Sequence, residues 1–77
     1  MTRLPALTAR EFVAVAEKAG FVFDRQKGSH AVYVRASDQG CTTIVVPMHK
    51  GRTLKRGTLH GLIDDMGLTR DEFIDLL

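Results

Sequence analysis

Residues 21–47 read FVFDRQKGSHAVYVRASDQGCTTIVVP, and this stretch decides the fold. Three segments, 21–25, 31–35 and 42–46, have the alternation or the β-branched content typical of strands. Short turns separate them, and in the first turn, 26–29, Gly28 supplies the positive φ that a tight hairpin requires. Pro47 ends the third strand because it has no N–H to donate. The pattern predicts a three-stranded antiparallel meander.

Helical patterns flank the strands. Thr8 and Glu11 form a capping box, in which each side chain bonds the other residue's backbone N–H. The apolar residues that follow recur at helical spacing, which predicts a helix over 9–19 closed by Gly20.

A second helix is predicted from the apolar residues between Leu54 and Met66, with Thr53 as its N-cap and Gly67 at its end. Gly57 costs such a helix up to about 1 kcal/mol, so either packing compensates or the glycine marks a close backbone approach. A second capping box, Thr69 to Glu72, opens a short terminal helix.

The resulting order, α-β-β-β-α with a terminal helical turn, predicts an α+β fold. It resembles the double-stranded-RNA-binding domain, in which two helices cover one face of a three-stranded antiparallel sheet. The 77 residues predict a single domain over 1–77.

Composition excludes several classes of protein. The single cysteine, Cys41, rules out an internal disulfide and a cysteine-based zinc site. No apolar run approaches the roughly 20 residues that span a bilayer, and no secretory signal follows the start Met1-Thr2-Arg3. We therefore expect a cytoplasmic protein without a membrane partner.

Charge is unevenly distributed along the chain. Residues 25–56 hold seven basic residues and one acidic residue, whereas residues 57–77 hold one basic residue and five acidic ones. A basic segment of this kind favours a polyanionic partner, most simply nucleic acid. A solvated basic face without a ligand is the alternative.

The most informative strings are Gly20-Phe21, the run from Arg25 to His30, Val46-Pro47-Met48-His49 and Gly57-Thr58-Leu59. In this order and at this length, the chain resembles the HicA mRNA interferase toxins, also called the YcfA-like family, of HicA–HicB toxin–antitoxin pairs. The likeness runs from Phe12 to about Phe73.

This resemblance implies a toxin that is a metal-independent endoribonuclease, with mRNA as substrate and no cofactor. It implies that the catalytic residue is the histidine of the Gly-Ser-His turn, His30. It also implies a HicB-type antitoxin that binds the toxin and blocks this histidine.

The residues themselves leave two hypotheses for His30. Metal-free RNA cleavage needs a base for the 2′-OH proton and an acid for the leaving 5′-oxygen, and histidine serves in either role. Arg25 and Lys27 can hold the scissile phosphate, while Gly28 and Ser29 allow close contact with it. Alternatively His30 is a core histidine, because Val32 and Val34 share its face of the strand.

Further candidate residues follow the third strand. The cations that most resemble an RNA-backbone platform at the start of the second helix are Lys50, Arg52, Lys55 and Arg56. His49 is a possible second acid or base, or a phosphate contact.

Tyr33 is predicted to pack between strands rather than to stack on a base. No metal site is expected, because no two histidines lie at i, i+4 with a carboxylate nearby.

Two other functions remain open at this stage. One is an RNA-binding module without cleavage, and the other is a domain whose sheet binds a protein only. RNA cleavage, and its loss in a His30 variant, would separate the first from the enzyme.

Overall fold

The computed structural model describes residues 4–77. Met1–Arg3, after which no secretory signal is predicted, lie outside the described residues. Its element order is α-β-β-β-α-α, and the α+β arrangement predicted from the sequence is confirmed. The elements are α1 (Ala9–Lys18), β1 (Val22–Lys27), β2 (His30–Ser37), β3 (Gly40–Pro47), α2 (Arg56–Asp65) and α3 (Arg70–Asp75).

The three strands form one antiparallel sheet in the order β1-β2-β3. Each strand is longer than predicted, since pairing continues to the two-residue turns at 28–29 and 38–39. Gln26 and Lys27 therefore belong to β1 and not to the first turn, which is a correction to the sequence-based boundaries. The physical reason is that pairing adds hydrogen bonds up to the turn, whatever the side-chain pattern.

The core lies between the helices and one face of the sheet. Ala31, Tyr33, Ile44 and Val46 point to this face, and they pack with buried residues of all three helices. Phe12 of α1 stacks on Phe73 of α3 with ring centroids 5.6 Å apart. The opposite face of the sheet has no helix among residues 4–77, and it exposes Val22 and Val45, whose relative accessibilities are 60% and 47%.

Both predicted capping boxes are present. Thr8 accepts a hydrogen bond from the Glu11 amide while the Glu11 carboxylate accepts one from the Thr8 amide, and Thr69 and Glu72 repeat the arrangement. Gly20 has φ +97°, as its predicted role in closing α1 requires.

The predicted start of α2 was wrong. Thr53 forms an isolated antiparallel bridge with Thr8, and the Leu54 amide donates to the Leu7 carbonyl at 2.7 Å. These backbone contacts hold Thr53 and Leu54 outside the helix, so α2 begins at Arg56 with Lys55 as its N-cap. A Cβ at Gly57 would meet no atom within 4 Å, which removes the close-approach hypothesis for that glycine.

Candidate functional site

The Gly-Ser-His motif forms the tight turn between β1 and β2. Gly28 has φ +55°, and the Gln26 side-chain amide donates to the Gly28 carbonyl at 2.9 Å. Lys27 and His30 are register partners across this turn. All of these residues are exposed, so the turn presents its backbone, a cation and an imidazole to solvent.

His30 lies outside the core. Side chains alternate between the two faces of a strand, and Ala31 and Tyr33 occupy the face covered by the helices. His30 is therefore on the face opposite the helices, and it is exposed. The core-histidine hypothesis was wrong, because His30 itself is exposed at the end of β2, although Val32 on the same face of the strand is only 2% exposed.

The end of β3 lies beside this turn. Pro47 is the register partner of His30, and the Met48 amide donates to the Ser29 carbonyl at 2.7 Å. These contacts fix the chain that follows β3 against the histidine turn. The position of residues 48–49 next to Ser29 and His30 is thus a consequence of strand register.

A groove of about 360 Å³ opens from Pro47 toward the start of α2. We call it the basic groove, and its lining residues are Pro47, His49, Arg52, Thr53, Leu54, Lys55 and Thr58. None of these residues is acidic. The groove therefore brings two of the predicted cations, Arg52 and Lys55, and the candidate histidine His49 to the neighbourhood of His30's strand partner.

The first turn of α2 adds polar groups to the basic groove. Lys55 is the N-cap but gives no side-chain cap hydrogen bond. The first amides of a helix have no intrahelical partner, and the positive end of the helix dipole lies there. Thr58, in this turn, also lines the groove. Such an end favours an anion.

Three of the predicted RNA-binding cations lie outside both the basic groove and the histidine turn. Arg25 forms an ion pair with Asp24 on β1. Lys50 lines a separate groove beside α1, and Arg56 lines a small cavity of about 60 Å³ with Leu4 and other residues. These cations remain exposed, but they do not line the basic groove with Arg52 and Lys55.

Tyr33 packs within the fold, as predicted. It is 7% exposed and meets Phe23 edge-on, with ring centroids 5.7 Å apart. Burial raises the pKa of the Tyr33 phenol above 10.0, and the nearby Glu17 carboxylate raises it further. His60 lies on α2 and is partly buried.

Some residues that line the basic groove were not predicted from the sequence to bind RNA. Thr53 was interpreted as a helix cap, and Thr58 and Pro47 were given no role in binding. Thr58 lies three residues after the N-cap Lys55, in the first turn of α2. With the correct helix start, this position would have identified Thr58 as a neighbour of Lys55 in the groove. Within residues 4–77, no group of three or more histidine, cysteine, aspartate or glutamate side chains is placed to hold a metal ion.

The fold and this turn define a small α+β protein with an exposed histidine beside a basic groove. The model of the family described as the HicA toxin of bacterial toxin-antitoxin systems matches residues 9–68 of the 77. The chain therefore belongs to the HicA toxin family, and it is a toxin whose family implies an antitoxin partner. A search of curated proteins gives no match. No helix within residues 4–77 is long and apolar enough to cross a membrane.

Proposed function

We propose that this toxin is a metal-independent endoribonuclease that cleaves mRNA with His30 as its catalytic residue. The observation that carries the proposal is the exposed position of His30 between two strand partners, Lys27 on one side and Pro47 of the basic groove on the other. An imidazole on the surface beside cations and a groove can reach a large polyanionic substrate, which a core histidine cannot.

The chemistry follows from these groups. His30 acts on the 2′-OH as base or on the leaving 5′-oxygen as acid. The 2′-oxygen attacks the adjacent phosphorus, the bond from phosphorus to the 5′-oxygen breaks, and the products carry a 2′,3′-cyclic phosphate and a 5′-hydroxyl. Lys27 offsets the negative charge that develops on the phosphate oxygens. Water, a lysine or His49 completes the proton transfer.

The basic groove provides phosphate contacts for the RNA. Arg52 and Lys55 line it, and the uncapped start of α2 adds backbone N–H donors. Gly28 and Ser29 present a backbone without bulky side chains at the turn, which permits a phosphate to approach closely. Lys50 and Arg56, which do not line the groove, extend the positive surface along the same chain of nucleotides.

The antitoxin in this proposal is of the HicB type, and it neutralises the toxin by covering His30. This assignment is supported by the family and by the exposure of the histidine turn, since an exposed catalytic group is accessible to a partner that binds over it. The cytoplasm, where mRNA is present, is the proposed location.

The test compares the wild type with His30→Ala on a labelled mRNA in the presence of EDTA. His60→Ala is a matched control, because His60 lies on α2 and not in the histidine turn. We expect the wild type and His60→Ala to cut and His30→Ala to lose cutting by at least about 100-fold, as general acid–base catalysis contributes 10²–10⁴-fold. RNA binding by His30→Ala should persist.

The other outcomes assign other functions. If no protein cuts while all bind RNA, the chain is an RNA-binding module. If EDTA stops the wild type, the reaction depends on a metal. If neither RNA binding nor cutting occurs in a folded protein, the toxin acts on another target.

A further inference from the structure

A second groove, distinct from the basic groove, lies between the first turn of α1 and the loop after β3. Its volume is about 440 Å³, and its exposed lining is mostly apolar. The half-buried Met48 and the buried Ala9 line it, together with the exposed cations Arg10 and Lys50. We call it the apolar groove. Of the candidate RNA-contacting residues predicted from the sequence, only Lys50 and His49 line the apolar groove.

The apolar groove is connected to the histidine turn by backbone contact. Met48 lines it, and the Met48 amide donates to the Ser29 carbonyl at 2.7 Å, one residue from His30. His49 lines both the apolar groove and the basic groove. A chain of nucleotides in the basic groove would therefore pass the mouth of the apolar groove.

The charges around the apolar groove favour an anionic ligand. None of its lining residues is acidic. Glu11, next to Arg10 along the chain, has its carboxylate committed to the Thr8 amide at 2.9 Å. An apolar recess with cations on its rim fits a ligand that combines a flat apolar ring with a nearby negative charge.

We propose that the apolar groove receives one nucleobase of the RNA, next to the nucleotide whose phosphate lies at His30. This inference rests on the proposed function, since it takes RNA as the substrate. Each nucleotide of RNA has a base with an apolar face and a phosphate beside it. The base packs on the Met48 thioether and the His49 ring, and Arg10 and Lys50 contact the flanking phosphates. The volume lies within the range of small-molecule pockets, about 300–1,000 Å³.

The test uses a short single-stranded RNA in which one nucleotide at a time is replaced by an abasic nucleotide. The replacement keeps every phosphate and removes one base. Binding is measured by fluorescence anisotropy in the His30→Ala background, so that the RNA is not cut. We expect one position at which the abasic RNA binds about tenfold more weakly, because a stacked base contributes about 1–3 kcal/mol and 1.4 kcal/mol corresponds to a factor of ten.

Variants locate the effect in the apolar groove. With Met48→Ala, the abasic penalty at that position should disappear, whereas Met48→Leu, which conserves the apolar volume, should keep most of it. Arg10→Glu puts a carboxylate at the rim and should weaken binding of the intact RNA, and it remains compatible with the helix because acidic residues are favourable in a first turn. Arg70→Glu, in the first turn of α3, is the matched control. Circular dichroism verifies that each variant is folded.

Each remaining outcome overturns the inference or the proposed function separately. RNA binding without a penalty at any abasic position means that only phosphates are recognised. An unchanged penalty in Met48→Ala places the base elsewhere, and weaker antitoxin binding in the same variant would assign the apolar groove to the protein partner. A penalty that depends on Met48, in a wild type that does not cut RNA, retains the inference and refutes the catalytic proposal.

Discussion

Arg35 is a basic residue that serves the fold and not the surface. Its guanidinium donates to the Ala19 carbonyl at the end of α1 and to the Met66 carbonyl at the end of α2, both at 3.0 Å. It also lies 4.7 Å from the centre of the Phe21 ring. The two carbonyls lie at the negative ends of their helices, so one cation ties both ends to β2.

We expect Arg35→Met to lower the free energy of unfolding by about 3 kcal/mol, since two hydrogen bonds to a charged group are lost and each contributes about 1.5 kcal/mol at the lower end of the usual range. Arg25→Met is the matched control, because Arg25 pairs with Asp24 on the surface, where an ion pair contributes about 0–1 kcal/mol. Urea denaturation monitored by circular dichroism measures both. Equal losses of unfolding free energy in the two variants would show that the hydrogen bonds of Arg35 do not stabilise the fold.

The sequence predicted the backbone conformation of single residues better than their environment. Gly28 takes the positive φ and Gly20 closes α1 as expected, because local backbone geometry decides both positions. The side of the sheet on which His30 lies was not predictable, since residues 31–34 are apolar on both faces of β2. Only the packing of helices against Ala31 and Tyr33 decides it.

At the scale of elements, α2 lacks a good cap. Its N-cap is Lys55, although serine, threonine, aspartate and asparagine are the residues that stabilise this position. The cation at this position lines the basic groove, so a residue unfavourable for the helix is suited to binding a phosphate. A residue that is unfavourable for its secondary structure is often found at a functional site.

Lys55→Ser should therefore stabilise the protein by about 1 kcal/mol while weakening its binding to RNA several-fold. Lys55→Ala removes the same cation without supplying a cap, so we expect it to weaken RNA binding equally and to leave stability unimproved. Thermal unfolding and RNA binding by anisotropy are measured on the same samples. RNA affinity that is unchanged in both variants would remove Lys55 from the binding surface.

The start of α3 is sensitive to pH. Hydrogen bonds from the Thr69 amide and hydroxyl lower the pKa of Glu72, against a smaller opposite effect of burial. A carboxylate whose pKa is lower in the folded state stabilises the fold above its unfolded pKa, and the contribution is lost as the pH falls through the folded pKa.

Glu72→Gln should consequently be less stable than the wild type at neutral pH. The difference should shrink as the pH falls from about 4.3, the ordinary glutamate pKa, through the lowered folded value. Thermal unfolding at a series of pH values measures it. A difference that stays constant over the acid range would mean that the charge of Glu72 has no part in the capping box.

Over the whole molecule, apolar periodicity and turn residues were enough to predict the order of elements and the antiparallel sheet. They did not predict where an element starts when distant residues hold the backbone before it. The start of α2 is an example, because Thr53 is bridged to Thr8 and stays outside the helix. The same holds for the candidate site. Residues 27–30 are adjacent in sequence and were found, whereas the contact between Ser29 and Met48 depends on the register of β2 with β3.

The number of basic residues in the sequence exceeds the number of cations that are free to contact RNA. Of the basic residues in 25–56, Arg35 is bound to helix carbonyls and Arg25 is paired with Asp24. The exposed cations of the histidine turn, the two grooves and the start of α2 are Lys27, Arg10, Lys50, Arg52, Lys55 and Arg56. The electrostatic part of RNA binding is therefore expected to come from about six phosphate contacts.

Salt dependence tests this count. Each phosphate contact with single-stranded nucleic acid contributes about −0.7 to the slope of log K against log salt concentration, so six contacts predict a slope of about −4. Lys27→Gln should make the slope shallower by about 0.7. Lys18→Gln is the control, because the Lys18 ammonium lies at the other end of α1 and donates to the Leu76 carbonyl at 3.0 Å. A slope near zero, or one that Lys18→Gln changes as much as Lys27→Gln, would contradict a binding surface centred on the histidine turn.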